Sequence, residues 1–348
     1  MQAKIYDVCI IGAGIAGSSL AYNIAGDLDA CVIEKNALNE VGNKPCGEGV
    51  HKYWFGGGVR PDPWELGAVV QDIKGVMAHF QGESLKVKLD PDREGIMLDR
   101  RKFVRKALLS ALDRGCEHIR AEARPKFEGR RIDHVVAGER EIRAKIYVDA
   151  SGTSAVIRSH YVPNRRGMFA IGYRELVKHR LGDESWHAYA FNNREAYWAF
   201  PRGSVTNIGY ASAESSSIRK KLEKFKQRIG FTGKVIDAGA ALIPLHKPIG
   251  LVYGNAVAIG DAGFTVNPIT GGGIGPSVSV ANLLATTLKE GRDLEDFEKE
   301  YWTRIGRAYL KFYWLMRFIR SFPAWKYVVK RAIRRFYGEM ERCPEARV

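Results

Sequence analysis

Three glycines near the start of the chain, Gly12, Gly14 and Gly17, have the spacing of a site that binds a pyrophosphate. Gly12 would make a tight turn, Gly14 would let the backbone approach the phosphates, and Gly17 would let a helix pack closely on a strand. The partial positive charge at the start of that helix favours an anionic ligand. Without supporting elements this spacing is weak evidence for a nucleotide site.

The residues around the glycines predict those elements. Residues 5–11 form a short β-branched run that predicts a strand, and residues 18–25 predict the following helix. A second apolar run, residues 30–33, ends in Glu34, twenty residues after Gly14, where a carboxylate can accept hydrogen bonds from both ribose hydroxyls. Its charge would repel a 2′-phosphate. The context predicts a dinucleotide site but does not separate NAD from FAD.

Two later segments favour FAD. Residues 97–103, MLDRRKF, open a predicted helix and carry Arg100. Residues 256–259 predict an apolar strand that leads to Asp261 and then to the glycine-rich run 267–274. An aspartate at a strand end beside a glycine-rich helix start suits a long ligand that carries hydroxyls and phosphates, and bare glycine backbone suits a flat ring.

Taken in order, these segments resemble the p-hydroxybenzoate hydroxylase-like FAD superfamily, and the segment DASG that begins at Asp149 matches its D-A-x-G turn. The usual G-D-A-A-G reads GDAGF here. The resemblance implies that Arg100 contacts the FAD, Asp261 its ribitol or pyrophosphate, and residues 271–274 the isoalloxazine edge. Two alternatives stay open: Arg100 could pair with a surface carboxylate, and Asp149 could cap a helix. The cofactor-binding residues that the resemblance implies are Gly12, Ala13, Gly14, Gly17, Glu34, Lys35, Cys46, Gly47, Arg100, Asp149, Gly152, Gly260, Asp261, Gly271, Gly272, Gly273 and Ile274.

Three further segments resemble the geranylgeranyl reductase family, a branch of that superfamily that saturates isoprenoid double bonds. Residues 44–47, KPCG, and residues 268–274, PITGGGI, match its motifs well, whereas residues 197–201, YWAFP, match its Y-x-W-x-F-P imperfectly. The family tyrosine falls on Ala196 here. Because side chains alternate along a strand, Tyr197 would point to the opposite face.

The catalytic candidates are Cys46, Trp198 and Phe200. Cys46 lies between a proline and a glycine in a polar loop, unlike Cys9 and Cys31 in apolar strands, which favours an active-site position. Its thiol could donate a proton, orient an alkene or only shape the site. Trp198 and Phe200 would form an apolar wall, with half-buried sheet aromatics as the alternative. Hydride transfer from reduced FAD to an isolated alkene also needs a proton, and the sequence does not show the acid.

The motif order predicts an α/β architecture, in which a Rossmann-like FAD-binding domain is followed by a sheet-rich α+β substrate domain and a C-terminal helical tail. We expect a discontinuous FAD domain over residues 1–75, 95–160 and 250–292, a substrate domain over 161–249 with 76–94, and helices over 293–348. No second GxGxxG unit of comparable context occurs, so no dedicated nicotinamide domain is expected. Electrons could come from an acidic ferredoxin or from transiently bound NAD(P)H.

Charge and composition indicate where such a protein works. The 348 residues include 54 Lys and Arg against 39 Asp and Glu, a net charge of +15 that favours a membrane face, an acidic protein or nucleic acid. The absence of an 18-residue apolar stretch predicts that the chain does not span a membrane. Five scattered cysteines without CxxC spacing predict neither disulfides nor a zinc site, which fits a reducing cytosol.

The tail from Arg307 is rich in aromatic and cationic residues, and Pro323 would divide it into two helices. Such helices can lie in a bilayer interface with cations toward anionic headgroups. The alternative is a tail packed on its own protein with a solvated basic face. Nucleic-acid binding is disfavoured because no recognised nucleic-acid module accompanies the charge. We expect a cytoplasmic protein peripheral to the inner face of the membrane.

The resemblance implies an FAD-dependent reductase that acts on a prenylated lipid, either geranylgeranyl chains of an archaeal-type phospholipid precursor or another polyprenyl group. A monooxygenase that uses FAD, NAD(P)H and oxygen is the first alternative. A basic nucleic-acid- or membrane-binding flavoprotein without this catalysis is the second.

Overall fold

The computed structural model describes residues 4–80, 83–165, 168–190, 195–213, 217–321, 327, 331 and 341–343. Its strands, numbered in chain order, are β1 Ile5–Ile11, β2 Ala30–Glu34, β3 Gly49–His51, β4 Val69–Ile73, β5 Gly75–Phe80, β6 Glu83–Lys88, β7 Gly95–Leu98, β8 Glu117–Arg120, β9 Ala123–Glu128, β10 Arg131–Ala137, β11 Arg140–Asp149, β12 Phe169–Lys178, β13 Ser185–Ala190, β14 Glu195–Arg202, β15 Val205–Ser212, β16 Lys234–Pro244, β17 Val252–Tyr253, β18 Ala256–Ala258 and β19 Glu341–Cys343. The helices are α1 Ile15–Ile24, α2 Arg100–Asp113, α3 Arg158–Tyr161, α4 Ile218–Arg228, α5 Ile274–Lys289, α6 Leu294–Tyr301 and α7 Arg307–Ser321.

The first sheet carries the nucleotide motif. Its strand order is β17-β18-β11-β1-β2-β8, and β9 and β10 extend it as a meander from β11. Strands β18, β11, β1, β2 and β8 run parallel to their neighbours. Parallel neighbours cannot be joined by a hairpin and need longer connections. Apolar residues of α1, α2 and α5 pack on one face of these strands, and β10 contributes to a second cluster on the other. This is the Rossmann-like layer that the glycine spacing predicts.

The second sheet has the strand order β16-β12-β15-β14-β13-β5-β6-β19. Apart from the parallel pair β13 and β5, its strands run antiparallel. Helix α4 covers one face of it through Leu222 and Phe225. The opposite face of β14 carries Trp198 and Phe200 toward the first sheet's loops. A small antiparallel sheet, β3-β7-β4, is formed by strands that lie between β2 and β8 in the chain.

The α/β fold class predicted from the sequence is confirmed, and the end of the tail differs from the prediction. Helices α6 and α7 occupy residues 294–301 and 307–321 and are joined by a π-helical turn. Residues 341–343, however, form a strand that pairs with β6 instead of a helix, because the edge of the second sheet offers free backbone groups. Pro323 lies outside the described residues. Among those that are described, no helix is long and apolar enough to cross a bilayer.

The predicted domain boundaries stay a prediction. The second sheet does draw its strands from both predicted parts of the substrate domain, since β5 and β6 join strands from residues 169–244.

Candidate functional site

Four parallel strands end at the same edge of the first sheet, and the cofactor candidates follow those ends. In the pairing register Ile11 of β1 lies opposite Ile33 of β2 and Asp149 of β11, and Asp149 lies opposite Ala258 of β18. The carboxyl edge of a parallel sheet, where the strand order reverses, is where open α/β sheets bind ligands. The structure therefore brings the early glycines, Glu34, the DASG turn and the Gly-Asp turn to one edge.

Glycine occurs at the three early positions for different structural reasons. Gly12 has φ +97°, and a Cβ there would lie 2.6 Å from the carbonyl oxygen of Ala150. A Cβ on Gly17 would lie 1.9 Å from the carbonyl oxygen of Gly12, so glycine is needed for α1 to reach the strand. A Cβ on Gly14 would meet nothing within 4 Å. The fold itself requires Gly12 and Gly17, whereas the space in front of Gly14 fits the pyrophosphate of a dinucleotide.

Glu34 closes this turn at the end of β2. Its Oε2 accepts the backbone N–H of Ala13 at 2.9 Å, and its Oε1 accepts both the backbone N–H and the amide of Asn36 at 2.8 Å. The carboxylate is buried and lies beside the glycine turn. Its position matches the one expected for a ribose-binding carboxylate. Lys35, the next residue, is exposed.

Asp149 is fully buried and stabilises the DASG turn. Its Oδ1 accepts the N–H and hydroxyl of Ser151, and its Oδ2 accepts the backbone N–H groups of Ile157 and Arg158 at 2.8 and 2.9 Å. Both oxygens are thus occupied, and the capping alternative describes the contacts that the structure shows. Gly152 has φ +69° and an open environment, and its contact with the cofactor stays a prediction.

An ion pair joins the late Gly-Asp turn to the loop of residues 44–47, which carries Cys46 and is called the cysteine loop below. Gly260 has φ +64° and lies against Ala16 of α1. Asp261, the next residue, pairs with the ammonium group of Lys44. The carboxylate of Asp261 also lies beside Gly273, the residue before α5, since a Cβ on that glycine would be 3.5 Å from its Oδ1.

The glycine-rich run before α5 is a closed turn. The side-chain oxygen of Asn267 accepts the backbone N–H groups of Ile269 and Thr270, and the Thr270 hydroxyl accepts that of Gly272. Gly271 has φ +69°. Gly271, Gly272 and Gly273 are partly exposed and Ile274 is buried, so a strip of bare backbone borders the first turn of α5. This strip suits the edge of a flat ring, as the resemblance implies.

Arg100 holds the cysteine loop in place. The guanidinium is buried, and its Nη1 donates to the carbonyl oxygens of Gly42 at 2.7 Å and Lys44 at 3.3 Å. The surface-pairing alternative is not what the structure shows, because the guanidinium is buried and its Nη1 donates to backbone carbonyls of the loop. Whether Arg100 also contacts FAD stays a prediction.

The cysteine loop lies against the aromatic wall of the second sheet. A Cβ on Gly47 would be 3.5 Å from Phe200 and 3.8 Å from the indole nitrogen of Trp198. Pro45 covers Gly239 of β16, where a Cβ would be 2.5 Å from the proline ring. Cys46 thus lies between two surfaces. On one side are the turns at the carboxyl edge of the first sheet, called the FAD cradle below, and on the other is the predicted aromatic wall of Trp198 and Phe200.

The Cys46 thiol is in a setting that keeps it protonated. Burial raises the pKa of the Cys46 thiol, and the nearby Arg100 guanidinium offsets this only in part. Its Sγ accepts the backbone N–H of Glu48 at 3.4 Å. At neutral pH the group is therefore a neutral thiol that retains its proton.

Tyr197 does not replace the family tyrosine expected at Ala196. Its ring is buried on the α4 face, 4.7 Å from the ring of Phe225, and its hydroxyl donates to Glu195. Burial raises the pKa of this phenol. The prediction that Tyr197 points away from Trp198 is confirmed.

Three residues of the site were not singled out from the sequence. Asn207 is fully buried on β15; its amide donates to the Cys46 carbonyl at 2.8 Å, and its oxygen accepts the Trp198 indole N–H at 3.0 Å. Buried Glu48 and partly buried Arg202 form an ion pair, with Arg202 Nε 2.6 Å from the Glu48 Oε2. A polar residue inside the apolar run of β15 was the available signal for Asn207.

The fold and these turns define the class of fold: the chain has a p-hydroxybenzoate hydroxylase-like α/β fold, and the turns at the carboxyl edge of its first sheet have the form of an FAD site. Two solved structures share that fold, a geranylgeranyl bacteriochlorophyll reductase-like protein from Thermoplasma acidophilum (TM-score 0.82, 19% identity, 94% of this chain and 91% of that chain) and PqsL, a probable FAD-dependent monooxygenase from Pseudomonas aeruginosa (TM-score 0.72, 17% identity, 94% and 100%). At these identities the likeness concerns the fold.

Sequence comparison narrows the class. The chain is 28% identical over 331 residues to digeranylgeranylglycerophospholipid reductase of Sulfolobus acidocaldarius, covering 85% of this chain and 72% of the relative. It is 29% identical over 319 residues to the protein of the same name from Methanoculleus marisnigri, covering 85% and 79%. No protein-family model matches the chain. The resemblance to the geranylgeranyl reductase family seen in the sequence is confirmed.

Proposed function

We propose that the protein is an FAD-dependent reductase that saturates isoprenoid C=C bonds of a prenylated lipid, with geranylgeranyl chains of an archaeal-type phospholipid precursor as the first candidate. The observation that carries the proposal is the position of the cysteine loop between the FAD cradle and the aromatic wall. Lys44 ties it to Asp261 in the FAD cradle, and Asn207 ties it to Trp198 in the aromatic wall.

The residues of this chain would bind and orient the alkene. Reduced FAD, held by the turns at the carboxyl edge, would be the source of the hydride for one alkene carbon. The other carbon needs a proton, and Cys46 holds a protonated thiol between the cradle and the wall. Trp198 and Phe200 present apolar surface to the chain and limit water, and each buried CH₂ of a prenyl chain contributes about 0.8 kcal/mol of binding. One methylene discriminates by only roughly 1–3 kcal/mol, so we expect broad chain-length tolerance.

The test is anaerobic turnover. The purified protein is loaded with FAD, reduced with dithionite and mixed with a geranylgeranyl lipid, while flavin absorbance and lipid mass are recorded. We expect flavin reoxidation together with a gain of two hydrogens per reduced bond. A protein that does not retain FAD contradicts the cofactor assignment. Flavin reoxidation that occurs only with oxygen, with a hydroxylated product, supports the monooxygenase instead.

Cys46 variants test the acid. Replacing Cys46 by Ala is expected to slow alkene-dependent flavin reoxidation by about a hundredfold in protein fully loaded with FAD, the scale of a lost general acid. Cys46→Ser keeps a weaker proton donor, so its rate of flavin reoxidation should lie between those of wild type and Cys46→Ala. Wild-type turnover by Cys46→Ala would remove the thiol from the mechanism.

We also infer that α7 brings the protein to a membrane surface. Tyr309 of α7 is buried in the core, so part of this helix packs on its own protein. Arg307, Lys311, Trp314 and Phe318 follow one another at four-, three- and four-residue spacing on an exposed face. Trp314 and Phe318 are each 56% exposed. Cations beside exposed aromatics suit an anionic lipid interface.

Vesicle sedimentation tests this inference. The protein should co-sediment with anionic phospholipid vesicles, less with zwitterionic ones, and less as salt rises. Trp314→Ser should weaken binding, whereas Trp64→Ser, at another partly exposed tryptophan, should not. Equal binding to both vesicle types would contradict the surface proposed for α7. The electron donor, a ferredoxin or NAD(P)H, and the cytoplasmic location are further parts of the proposal.

A further inference from the structure

We propose that Glu48 and Arg202 form a positioning pair that holds the Cys46 loop in register with the aromatic wall. The inference deepens the proposed reductase function and rests on it for its activity readout. Its starting point is that the loop belongs to the cofactor side of the molecule, whereas Arg202 ends β14 of the second sheet.

Glu48 is bonded in four directions from one buried position. Its backbone N–H donates to the Cys46 sulfur at 3.4 Å, and its carbonyl oxygen accepts the backbone N–H of Leu98 at 2.9 Å. In the side chain, Oε1 accepts the backbone N–H of Arg100 at 3.4 Å, and Oε2 accepts Arg202 Nε at 2.6 Å. One residue thus joins the thiol, the start of α2 and the second sheet.

The backbone of Glu48 has a conformation that favours glycine. Its φ is +63°, a left-handed conformation that costs a non-glycine residue roughly 1–2 kcal/mol. Glycine would relieve that cost, and the chain uses glycine at Gly47 and Gly49 on either side. A glutamate retained in such a conformation points to a role for its carboxylate.

The pair also sets the charge around the thiol. Arg100 from α2 and Lys44 from the loop favour the thiolate, and the Glu48 carboxylate opposes it. Arg202 from β14 and Arg174 from β12 face Glu48 in turn. Burial raises the pKa of the Glu48 carboxyl, and Arg202 opposes that rise most among the charged groups. Neutralising Glu48 should therefore lower the pKa of the Cys46 thiol.

The first experiment measures Cys46 directly. Iodoacetamide labelling of the Cys46 peptide is followed by mass spectrometry against pH in the FAD-loaded protein, with Cys46→Ala as the background. Glu48→Gln should shift the labelling profile to lower pH, whereas Glu48→Asp, which keeps the charge, should retain the wild-type profile. An unshifted profile in Glu48→Gln would overturn the proposal. This readout needs no lipid and fails independently of the reductase assignment.

The second experiment separates the carboxylate from the turn. Glu48→Gly relieves the left-handed conformation but removes the carboxylate that Arg202 and the Arg100 N–H contact, and it should slow alkene-dependent flavin reoxidation by about tenfold, because about 1 Å of misplacement is costly in a positioned reaction. Ser217→Gly relieves the same left-handed conformation at φ +62° in the residue before α4 and should leave the rate unchanged. If Glu48→Gly reoxidises its flavin as fast as wild type, the carboxylate has no positioning role and the proposal is wrong.

A double-mutant cycle tests the pair as a unit. Glu48→Gln leaves Arg202 only its 3.9 Å contact with Asp99, and Arg202→Met removes the closest cation of the Glu48 carboxylate, so each should lower the thermal midpoint. The double variant has neither charge and should lose less than the sum of the two. Additive losses would show that the two residues act separately and would contradict the proposed pair.

Discussion

Lys44 and Asp261 form an ion pair that joins the cysteine loop to the late Gly-Asp turn. Their separation of 217 positions along the chain makes this a contact of tertiary structure alone. The Asp261 side chain is 18% exposed and that of Lys44 37%. The pair therefore places a cation beside the carboxylate that the resemblance assigns to the ribitol or pyrophosphate of FAD.

Replacing Lys44 by Met should weaken FAD binding. The variant leaves the Asp261 carboxylate without its cation near two phosphates, and we expect about a tenfold rise in Kd, or about 1.4 kcal/mol. Quenching of flavin fluorescence during titration of the apoprotein measures it. Lys299→Met removes a cation whose side chain is 71% exposed in its pair with Asp296, and it should bind FAD normally. An unchanged Kd in Lys44→Met would contradict this role.

Replacing Gly14 by Ala separates cofactor binding from folding. A methyl group there meets nothing within 4 Å, so the thermal midpoint of the apoprotein should stay within about 2 °C of wild type. The same methyl group would occupy the space expected for the pyrophosphate, so FAD affinity should fall by at least about tenfold. Gly182→Ala, also in open space, is the matched control and should change neither quantity. Normal FAD affinity in Gly14→Ala would place the pyrophosphate elsewhere.

The cradle could be predicted from the sequence because its requirements are local. Gly12 needs a positive φ and Gly17 needs contact with a neighbouring backbone, and both follow from a strand, a turn and a helix within about twenty residues. The parallel order then brings Asp149 and Asp261 to the same edge, since each follows a strand end. Even so, the sequence left open whether Asp149 binds ligand or caps its own turn.

The contacts between the two sheets could not be predicted in this way. Glu48 and Arg202 are 154 residues apart, and Asn207 reaches Cys46 across 161. These pairings depend on how β14 and β15 are placed against a loop of the other sheet, which no local period encodes. The strand at residues 341–343 escaped prediction for the same reason, because three residues acquire their conformation from the sheet edge they join.

The indole of Trp198 leaves no room for a side chain on Gly209. A Cβ there would lie 2.1 Å from the Trp198 ring, so Gly209→Ala should displace the ring and destabilise the fold by roughly 1–3 kcal/mol. It should also slow flavin reoxidation by the alkene, because the wall moves. Trp198→Phe combined with Gly209→Ala should recover part of the stability, since the smaller ring leaves space. Thermal unfolding of the three variants measures this, and a double variant less stable than Gly209→Ala would refute the steric explanation.

A buried series of hydrogen-bonded side chains in the second sheet predicts that the free energy of unfolding depends on pH. His79 is buried, with its Nδ1 2.8 Å from the Ser84 hydroxyl and its Nε2 3.1 Å from Nδ1 of His187, which in turn contacts Asp183 at 3.0 Å. The ring also stacks on Tyr189 at 4.2 Å. Burial, and then the charge of His187, lower the pKa of His79 to about 4.

Because the unfolded chain binds this proton near pH 6.5 and the folded protein only near pH 4, stability is complete above about pH 6.5 and falls as the pH drops. The loss attributable to His79 reaches about 3 kcal/mol by pH 4. Urea unfolding at pH 7, 6, 5 and 4 should show it, and His79→Gln should flatten the decline. His160→Gln, at an exposed histidine stacked on Phe127, should leave the slope unchanged. Parallel curves for wild type and His79→Gln would show that acid acts on the fold through other groups.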